Sequence, residues 1–431
     1  MKKLRVLLLN PVAAGSLQTP FPVLPLGIAL NAAIAHAFEC ELRVLFGQNL
    51  HHSLQNLLRT WTPDCAGFQT FVNTMTESHK LAGIIRKAAP NAFIVFGGVE
   101  ASNNPETALR NSTVNGVITG EGEMQFRLLL ERLTDNPYES PGLIHRADDG
   151  SLITNPGKCL YENLDDLPEI PYELFYGSGK VPVGHILTHR GCPFHCSHCP
   201  LRFRDGVPIR SHSAARIIGT IEHLHQRFGV RHIEFFDENF TMDPNHVSEI
   251  CQGIQSVPVT FSCTARISQV NIDLCREMAE AGCRQIIFGL GTGVPRLQSI
   301  LGTHEDLDHA RQLFVQLAET SIQPLAVFSL GIPTETRSEL RQTVRYACNL
   351  KKCAIRFEPA APLPGSQLYH TAGKSGHFLI DSWDNYRRPG QVVYIPEGWT
   401  VRSFYTELYK AKLAARLKLV RSKFTPAFLR R

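Results

Sequence analysis

Residues 190–200 read Arg190-Gly-Cys-Pro-Phe-His-Cys-Ser-His-Cys-Pro200, and this stretch places three cysteines within eight positions. Cysteine thiolates are the usual protein ligands of iron–sulfur clusters. Three of them on one loop can hold three irons of a 4Fe–4S cluster and leave the fourth iron open. The alternative is a structural zinc site completed by His195 or His198, although structural zinc usually takes its ligands from two separated pairs. The three cysteines are Cys192, Cys196 and Cys199.

The residues that follow this loop predict a parallel partial barrel. Apolar, strand-like runs alternate there with amphipathic, helix-like stretches, which is the pattern of βα units. The first run ends at the cysteine loop, so the loop lies at the carboxyl end of the first strand. The predicted strands are residues 184–189, 232–236, 259–263, 285–290, 325–330 and 354–359.

The residues before the loop predict a second α/β domain with a doubly wound parallel sheet. Five apolar runs alternate with helical stretches, and ligands of such sheets bind at the carboxyl ends of the strands. We expect four parts: this domain at 1–135, a Pro- and Gly-containing linker with one hairpin at 136–180, a partial (β/α)6 barrel at 181–370, and a short helical extension at 371–431. The five runs are residues 4–9, 42–46, 64–69, 93–96 and 116–119.

Composition and charge limit the class of protein. The net charge of +5 is mild for 431 residues and predicts no nucleic-acid partner. Twelve cysteines in so long a chain do not fit a secreted disulfide scaffold, and no apolar run approaches the roughly 20 residues that span a bilayer. We therefore expect a cytoplasmic protein without a transmembrane segment.

The carboxyl-terminal tail is strongly basic. Residues 401–431 hold nine lysines and arginines against one acid, which gives the tail a charge of +8 and residues 1–400 a charge of −3. Interleaved leucines predict an amphipathic helix. Either this helix packs on the body with its basic face in water, or it makes peripheral contact with a membrane surface.

The cysteine loop and the strands after it, from about residue 184 to 370, resemble the radical S-adenosylmethionine (SAM) superfamily. In that superfamily the open iron binds the methionine part of SAM, and an electron from the cluster yields a 5′-deoxyadenosyl radical. The resemblance implies a cluster on the three cysteines. It also implies that His198 takes the place of an aromatic residue that usually packs near adenine.

Further segments carry the same resemblance. Asp237 and Glu238 match polar residues that contact the SAM amino group at the end of the second barrel strand, and capping of the next helix is the alternative for Asp237. Arg266 follows the third strand. The resemblance implies that it pairs with the carboxylate of the substrate or of SAM, with a salt bridge across the barrel as the alternative.

The fourth and fifth strands match the superfamily less completely. A glutamate near the adenosyl ribose is common in the family, but Gly291 stands at its position here. Ribose recognition then falls to Thr292 or to the backbone. In the turn after the fifth strand, the resemblance implies that Gly331 and Pro333 lie beside adenine.

The first domain resembles the cobalamin-binding domain that precedes the barrel in one subclass of radical SAM enzymes. Pro25-Leu-Gly27, Pro105-Glu106 and glycines after the fourth and fifth strands carry this resemblance. Cobalamin sites of the methionine-synthase type carry a histidine in an Asp-x-His-x-x-Gly motif. The loop at residues 10–15, which stands at the position of that motif, contains no histidine. A degenerate domain that binds nothing is the alternative. The resemblance implies cobalamin contacts by Thr70, Gly97, Gly98, Gly120 and Glu121.

Together the two resemblances imply an enzyme that uses a 4Fe–4S cluster, SAM and cobalamin. Its expected activity is methylation of an unactivated carbon, or of phosphorus, in a small-molecule substrate. An electron donor such as flavodoxin or ferredoxin would reduce the cluster. Two alternatives remain: an oxidative cyclisation or rearrangement by a related radical SAM enzyme, and a non-catalytic sensor of cobalamin or of the cluster.

Overall fold

A computed structural model describes residues 3–12, 23–157, 159–201, 207–386 and 390–421. The chain divides into two compact units. The first comprises residues 1–178 with 200–204 and 382–389, and the second comprises residues 179–199, 205–381 and 390–431. The end of the basic tail, residues 422–431, and part of the loop after the first strand, residues 13–15, lie outside the described residues.

A mixed sheet forms the centre of the first unit. Its strands are β1 (Arg5–Asn10), β2 (Glu41–Phe46), β3 (Cys65–Gln69), β4 (Phe93–Gly97), β5 (Gly116–Ile118), β6 (Leu143–Arg146) and β7 (Leu152–Thr154). They lie in the order β2-β1-β3-β4-β5-β6-β7, and the first five run parallel. Strand β1 is buried along nearly its whole length, as its unbroken apolar run predicts for a central parallel strand. The doubly wound sheet expected from sequence is thereby confirmed.

Helices flank this sheet, and a hairpin extends it. The helices are α1 (Leu26–Ala37), α2 (Leu50–Leu58), α3 (Met75–Ala88), α4 (Val99–Asn103), α5 (Pro105–Ala108), α6 (Glu123–Arg132) and α7 (Glu173–Tyr176). The hairpin β6–β7 lies in the segment that the sequence assigned to a linker. It pairs antiparallel with β5, so the sheet is not purely parallel. Apolar residues at the start of the hairpin explain this pairing, because Leu143 is buried against the sheet.

The second unit contains a six-stranded parallel sheet. Its strands, together with those of two small two-stranded sheets, are β8 (Val183–Ile186), β9 (His189–Arg190), β10 (Arg210–Ser211), β11 (His232–Phe235), β12 (Thr260–Ala265), β13 (Cys283–Gly291), β14 (Gln323–Leu330), β15 (Ala354–Pro359), β16 (Gly376–Phe378) and β17 (Tyr394–Pro396). The main sheet runs β15-β14-β13-β12-β11-β8, with every pair parallel. This is the predicted open series of six βα strands. The pairs β9–β10 and β16–β17 are antiparallel.

Helices follow the barrel strands in the predicted alternation. They are α8 (Ala214–Phe228), α9 (Pro244–Ile254), α10 (Ile272–Glu280), α11 (Pro295–Leu301), α12 (Leu307–Gln316), α13 (Arg337–Asn349), α14 (Gln367–Ala372) and α15 (Val401–Arg421). Helix α13 begins at a capping box, in which Thr336 and Glu339 satisfy each other's backbone N–H groups. Among the residues that the structure describes, no helix is long and apolar enough to cross a membrane.

The two faces of the six-stranded sheet differ in polarity. One face is apolar and buried, with phenylalanines such as Phe261, Phe288 and Phe328. The other face carries a row of polar residues that lie in register on five neighbouring strands. This row consists of His185, Glu234, Ser262, Gln285 and Gln323. Further along β13 and β14 the same face carries the apolar residues Ile287, Leu325 and Val327, so the polar residues form one layer of this face.

Candidate active site

The cysteine loop follows β9 and is fixed to the body of the second unit at its middle. Ser197 donates from its backbone N–H to the carbonyl of Leu301 at 2.9 Å and from its hydroxyl to the carbonyl of Ile300 at 2.5 Å. Its own carbonyl accepts from the N–H of Leu368 at 2.8 Å. The end of α11 and the start of α14 therefore hold the loop in place. Ser197 was not among the site residues predicted from the sequence.

The three loop cysteines are half-buried thiols that form no disulfide. Within the described parts of the chain, no group of three or more His, Cys, Asp or Glu side chains is arranged closely enough to hold a metal ion. The thiols of a 4Fe–4S cluster bind separate irons, so they need not converge on a single point as the ligands of one metal ion do. The donor set, three thiols on one loop without a second Cys-x2-Cys pair, fits a cluster better than structural zinc.

Arg266 brings a positive charge to this loop. Its guanidinium lies 3.4 Å from the sulfur of Cys196 and 3.9 Å from the ring centre of Phe194, over the ring face. The same guanidinium pairs with the buried carboxylate of Glu305 at 2.5 Å and donates to the carbonyl of Thr303. The salt bridge that the sequence offered as an alternative for Arg266 is thus present, while its role toward a ligand carboxylate stays a prediction.

Charges near the loop act on its thiols in opposite directions. Burial raises the pKa of the Cys192 thiol, and the carboxylate of Glu238 adds to this rise. The positive charge of Arg266 lowers the pKa of the same thiol. Glu238, expected from sequence to contact SAM, therefore lies in the electrostatic neighbourhood of the cysteines.

Asp237 is fully buried beneath the segment that leads into the loop. Its Oδ1 accepts from the N–H groups of Thr188 at 2.8 Å and His189 at 3.0 Å, and it lies 3.1 Å from Nδ1 of His189. Burial raises the pKa of this carboxyl, and His189 offsets part of the rise. The helix-cap alternative for Asp237 is wrong, because Asp243 caps α9.

Thr292 and Gly291 lie at the end of β13. The hydroxyl of Thr292 is buried and pairs with the hydroxyl of Thr343 at 2.9 Å. Gly291 has a φ of +67°, and an added Cβ would lie 3.0 Å from Leu301. A glutamate would be strained in this backbone, which explains why the usual carboxylate is missing here. Gln298 holds this strand end by donating to the carbonyls of Leu290 and Thr292, a contact that the sequence did not predict.

The turn after β14 contains Gly331 and Pro333, and it closes on a buried carboxyl. Oε2 of Glu335 accepts from the N–H groups of Gly331 and Ile332. Burial raises the pKa of Glu335 to about 8, although these two hydrogen bonds lower it. Gly331 has a positive φ, and the ring of Phe404 packed against it leaves no room for a side chain at that position. The turn is therefore held by the two hydrogen bonds to Glu335 and by the ring of Phe404.

In the first unit, most of the residues predicted to contact cobalamin form hydrogen bonds within and between the loops that carry them. The hydroxyl of Thr70 donates to the carbonyl of Gly97 at 2.8 Å and accepts from the N–H of Ala101. The N–H of Gly120 donates to the hydroxyl of Ser102 at 2.9 Å, and an added Cβ on Gly120 would meet open space. These contacts join the ends of β3, β4 and β5 into one rim. Ligand contacts by Thr70, Gly97, Gly98, Gly120 and Glu121 stay predictions.

Two side chains that sequence reasoning did not assign to the site lie at the ends of β1 and β3. Among the residues that the structure describes, neither Oδ1 of Asn10 nor Oε1 of Gln69 has a hydrogen-bond partner, and both atoms are buried. In the sequence, only their place after two apolar strands distinguishes these residues. A buried polar atom without a partner calls for an explanation, such as an ordered water or a bound group.

Comparisons with known proteins agree with this architecture. A model of the radical SAM superfamily matches residues 186–347, and a model of the B12-binding domain matches residues 16–130. An uncharacterized methyltransferase of Pyrococcus horikoshii is 27% identical over 402 residues, which is 90% of this chain and 87% of the relative. Cytidylyl-2-hydroxyethylphosphonate methyltransferase of Streptomyces wedmorensis is 23% identical and covers 92% of this chain and 86% of its own.

A solved structure shares the fold along nearly the whole chain. The radical SAM methyltransferase TsrM from Kitasatospora setae, with cobalamin and a 4Fe–4S cluster bound, has a TM-score of 0.77 at 17% identity. The match covers 95% of this chain and 91% of TsrM. The cofactors that the two matched domains imply are a 4Fe–4S cluster, SAM and cobalamin. The chain therefore combines a match to the radical SAM superfamily with a match to the B12-binding domain, the combination found in radical SAM enzymes that carry a cobalamin-binding domain.

Proposed function

We propose that this enzyme transfers a methyl group to an unactivated carbon, or to phosphorus, of a small polar substrate. One observation carries the proposal: the two relatives that align over both domains and over at least 86% of their own length are methyltransferases. In the overall reaction, two SAM and two electrons convert substrate–H to substrate–CH3. One SAM leaves as methionine and 5′-deoxyadenosine, which carries the abstracted hydrogen, and the other leaves as S-adenosylhomocysteine.

The residues of this chain supply binding, orientation and charge. We propose that Cys192, Cys196 and Cys199 ligate the cluster, whose reduced form cleaves SAM. Arg266 would balance the negative charge of the thiolates, and Glu238 would face the SAM amino group. The cofactors would divide between the predicted domains, with cobalamin in residues 1–135 and the cluster with SAM in residues 181–370.

The row of polar residues across the barrel sheet supports a polar small molecule as the substrate. Gln285 and Gln323 lie side by side on β13 and β14, and each has a buried amide atom without a partner. Such atoms favour a ligand that forms hydrogen bonds over an apolar one.

Reducing electrons would come from flavodoxin or ferredoxin. Peripheral membrane contact by the basic tail stays a prediction.

Anaerobic reconstitution with iron and sulfide, with and without hydroxocobalamin, tests the proposed function. Purified enzyme would receive SAM and a strong reductant, and mass spectrometry would count 5′-deoxyadenosine and S-adenosylhomocysteine. We expect both products when cobalamin is present, and 5′-deoxyadenosine alone without it. Cys196→Ala should abolish 5′-deoxyadenosine. Cys348→Ala is the matched control, because Cys348 is also a half-buried thiol but lies on α13.

The products also separate the alternatives. With cobalamin bound, 5′-deoxyadenosine without S-adenosylhomocysteine would instead support a cyclisation or rearrangement. Neither product from a protein with an intact cluster would support a sensor. Activity with zinc and no iron would overturn the assignment of the cysteine loop.

A further inference from the structure

The side chain of Gln69 lies against two glycines, Gly27 and Gly98, that belong to the segments resembling the cobalamin-binding domain. An added Cβ on Gly27 would lie 2.9 Å from Nε2 of Gln69, and one on Gly98 would lie 3.3 Å from its Cγ. Gly98 also has a φ of +93°, and a Cβ added there would lie 2.7 Å from the backbone oxygen of Thr70. These glycines therefore make room for a protein side chain. They fix where the amide of Gln69 can point.

Asn10 lies beside Gln69 on the neighbouring strand. Leu9 of β1 pairs with Phe68 of β3, so the next residues, Asn10 and Gln69, stand at matching positions at the carboxyl ends of the two strands. The sheet order β2-β1-β3 makes this the point where the order of strands reverses. Ligands of doubly wound sheets bind at such a switch point.

Each of the two side chains carries a buried oxygen, Oδ1 of Asn10 and Oε1 of Gln69, that forms no hydrogen bond with any residue in the described parts of the chain. Leaving such an acceptor unsatisfied destabilises the free protein. Two such atoms at adjacent positions are explained if a ligand supplies the donors. None of these loop residues, Asn10-Pro11-Val12 and Gln69-Thr70, is a histidine, so no imidazole among them could bind cobalt.

We propose that the carboxamides of Asn10 and Gln69 accept hydrogen bonds from the amide side chains of the corrin ring and so position cobalamin. Cobalamin carries several primary amides, whose N–H groups are the donors that two acceptor oxygens require. Gly27 and Gly98 act indirectly, since they hold the Gln69 amide in place. This inference rests on cobalamin as the cofactor of the family and adds the residues that orient it.

A ligand role and a structural role for Asn10 and Gln69 predict different effects of substitution on the unfolding temperature and on the affinity for hydroxocobalamin. Gln69→Met and Asn10→Leu keep approximate side-chain volume but remove the unpartnered oxygens. The free variants should unfold at the same temperature as the wild type or higher, because a buried polar atom without a partner has been removed. Each should bind hydroxocobalamin about tenfold more weakly, the effect of losing one good hydrogen bond. A structural role would instead lower the unfolding temperature and leave affinity unchanged.

A pair of glycine variants tests the enclosure of Gln69 without changing Gln69 itself. Gly27→Ala should displace the amide and weaken hydroxocobalamin binding by about tenfold. Gly83→Ala is the matched control: Gly83 lies in α3, and a Cβ there would meet nothing within 4 Å. It should leave the affinity at the wild-type value.

The measurement is equilibrium binding of hydroxocobalamin to the full-length protein, followed by corrin absorbance after dialysis, together with thermal unfolding of each free variant. Wild-type affinity in Gln69→Met and Asn10→Leu would overturn the inference while leaving the proposed function in place. Failure of the wild-type protein to bind hydroxocobalamin would count against the proposed function itself. Because the readout is binding, neither outcome depends on finding the substrate.

Discussion

Arg266 and Glu305 place opposite charges beside the cysteine loop. The guanidinium is 3.4 Å from the sulfur of Cys196, and the carboxylate holds it from the other side at 2.5 Å. A positive charge near an iron–sulfur cluster stabilises the more negative, reduced form, whereas a negative charge does the reverse. At an effective dielectric constant of about 20, a unit charge about 4 Å away contributes on the order of 4 kcal/mol, part of which the opposite charge of the pair cancels. We therefore predict that this pair sets the reduction potential of a cluster bound to the loop.

The two charges should shift that potential in opposite directions. Arg266→Met should lower the reduction potential of the reconstituted cluster by about 50 mV, and Glu305→Gln should raise it by a similar amount, since each charge partly cancels the other. Redox titration followed by electron paramagnetic resonance measures both values. Iron content per protein is the control, because Arg266 also packs on Phe194. Shifts of the same sign in both variants would show that the charges act only through loop structure.

At the scale of single residues, sequence reasoning found side chains whose type is diagnostic and missed those whose role depends on tertiary position. Three cysteines in eight residues stand out in any sequence. Gln69 does not, because a glutamine becomes informative only when its oxygen is seen to be buried without a partner. Glu305 was missed for a similar reason: the short loop between α11 and α12 brings it to Arg266, which is distant in sequence, and no local pattern predicts that contact.

The carboxyl-terminal helix α15 is an integral part of the second unit. Phe404 and Leu408 are buried, and α15 packs along β15 and α13. The ring of Phe404 fills the space beneath Gly331, and the indole of Trp399 donates to the carbonyl of Glu335 at 2.8 Å. The helix thus supports the turn that the family resemblance places beside adenine. The alternative of a helix packed on the body is confirmed.

Truncating the buried side of α15 should destabilise the protein, whereas truncating its exposed side should not. Phe404→Ala removes a fully buried ring, and such changes typically cost about 3–5 kcal/mol. Tyr409→Ala, on the exposed face of the same helix, should change the free energy of unfolding by less than about 0.5 kcal/mol. Urea unfolding of both variants measures the difference. Equal stability would mean that α15 does not support the turn.

At the scale of elements, the alternation of strands and helices was predictable, and so was one of the small antiparallel pieces. All eleven predicted strands appear near their expected positions, because buried parallel strands are continuous apolar runs. The prolines and glycines of residues 136–180 indicated the β6–β7 hairpin, whereas the three-residue strands of the β16–β17 pair are too short for a period to be recognised. Their pairing depends on neighbours that are distant in sequence, so the extension at 371–431 is not wholly helical as expected.

Across the whole molecule, the twelve cysteines divide evenly by exposure. Six are buried and six are half-buried, and none of them forms a disulfide. Only the half-buried thiols are accessible to a small reagent in the native protein, since a thiol must reach solvent and ionise to react. Burial also raises the pKa of buried thiols such as Cys353, to about 11. The half-buried set is Cys40, Cys159, Cys192, Cys196, Cys199 and Cys348.

Cluster binding should therefore change native alkylation at three defined positions. Iodoacetamide should modify the six half-buried cysteines of the cluster-free protein and spare the six buried ones. After anaerobic reconstitution, Cys192, Cys196 and Cys199 should be protected, because their sulfurs would be ligands, while Cys40, Cys159 and Cys348 should react as before. Peptide mass spectrometry counts each site. Removal of iron with a chelator under oxidising conditions, followed by re-reduction, should restore reactivity at the loop. Protection of a different set, or of none, with iron bound would place the cluster elsewhere.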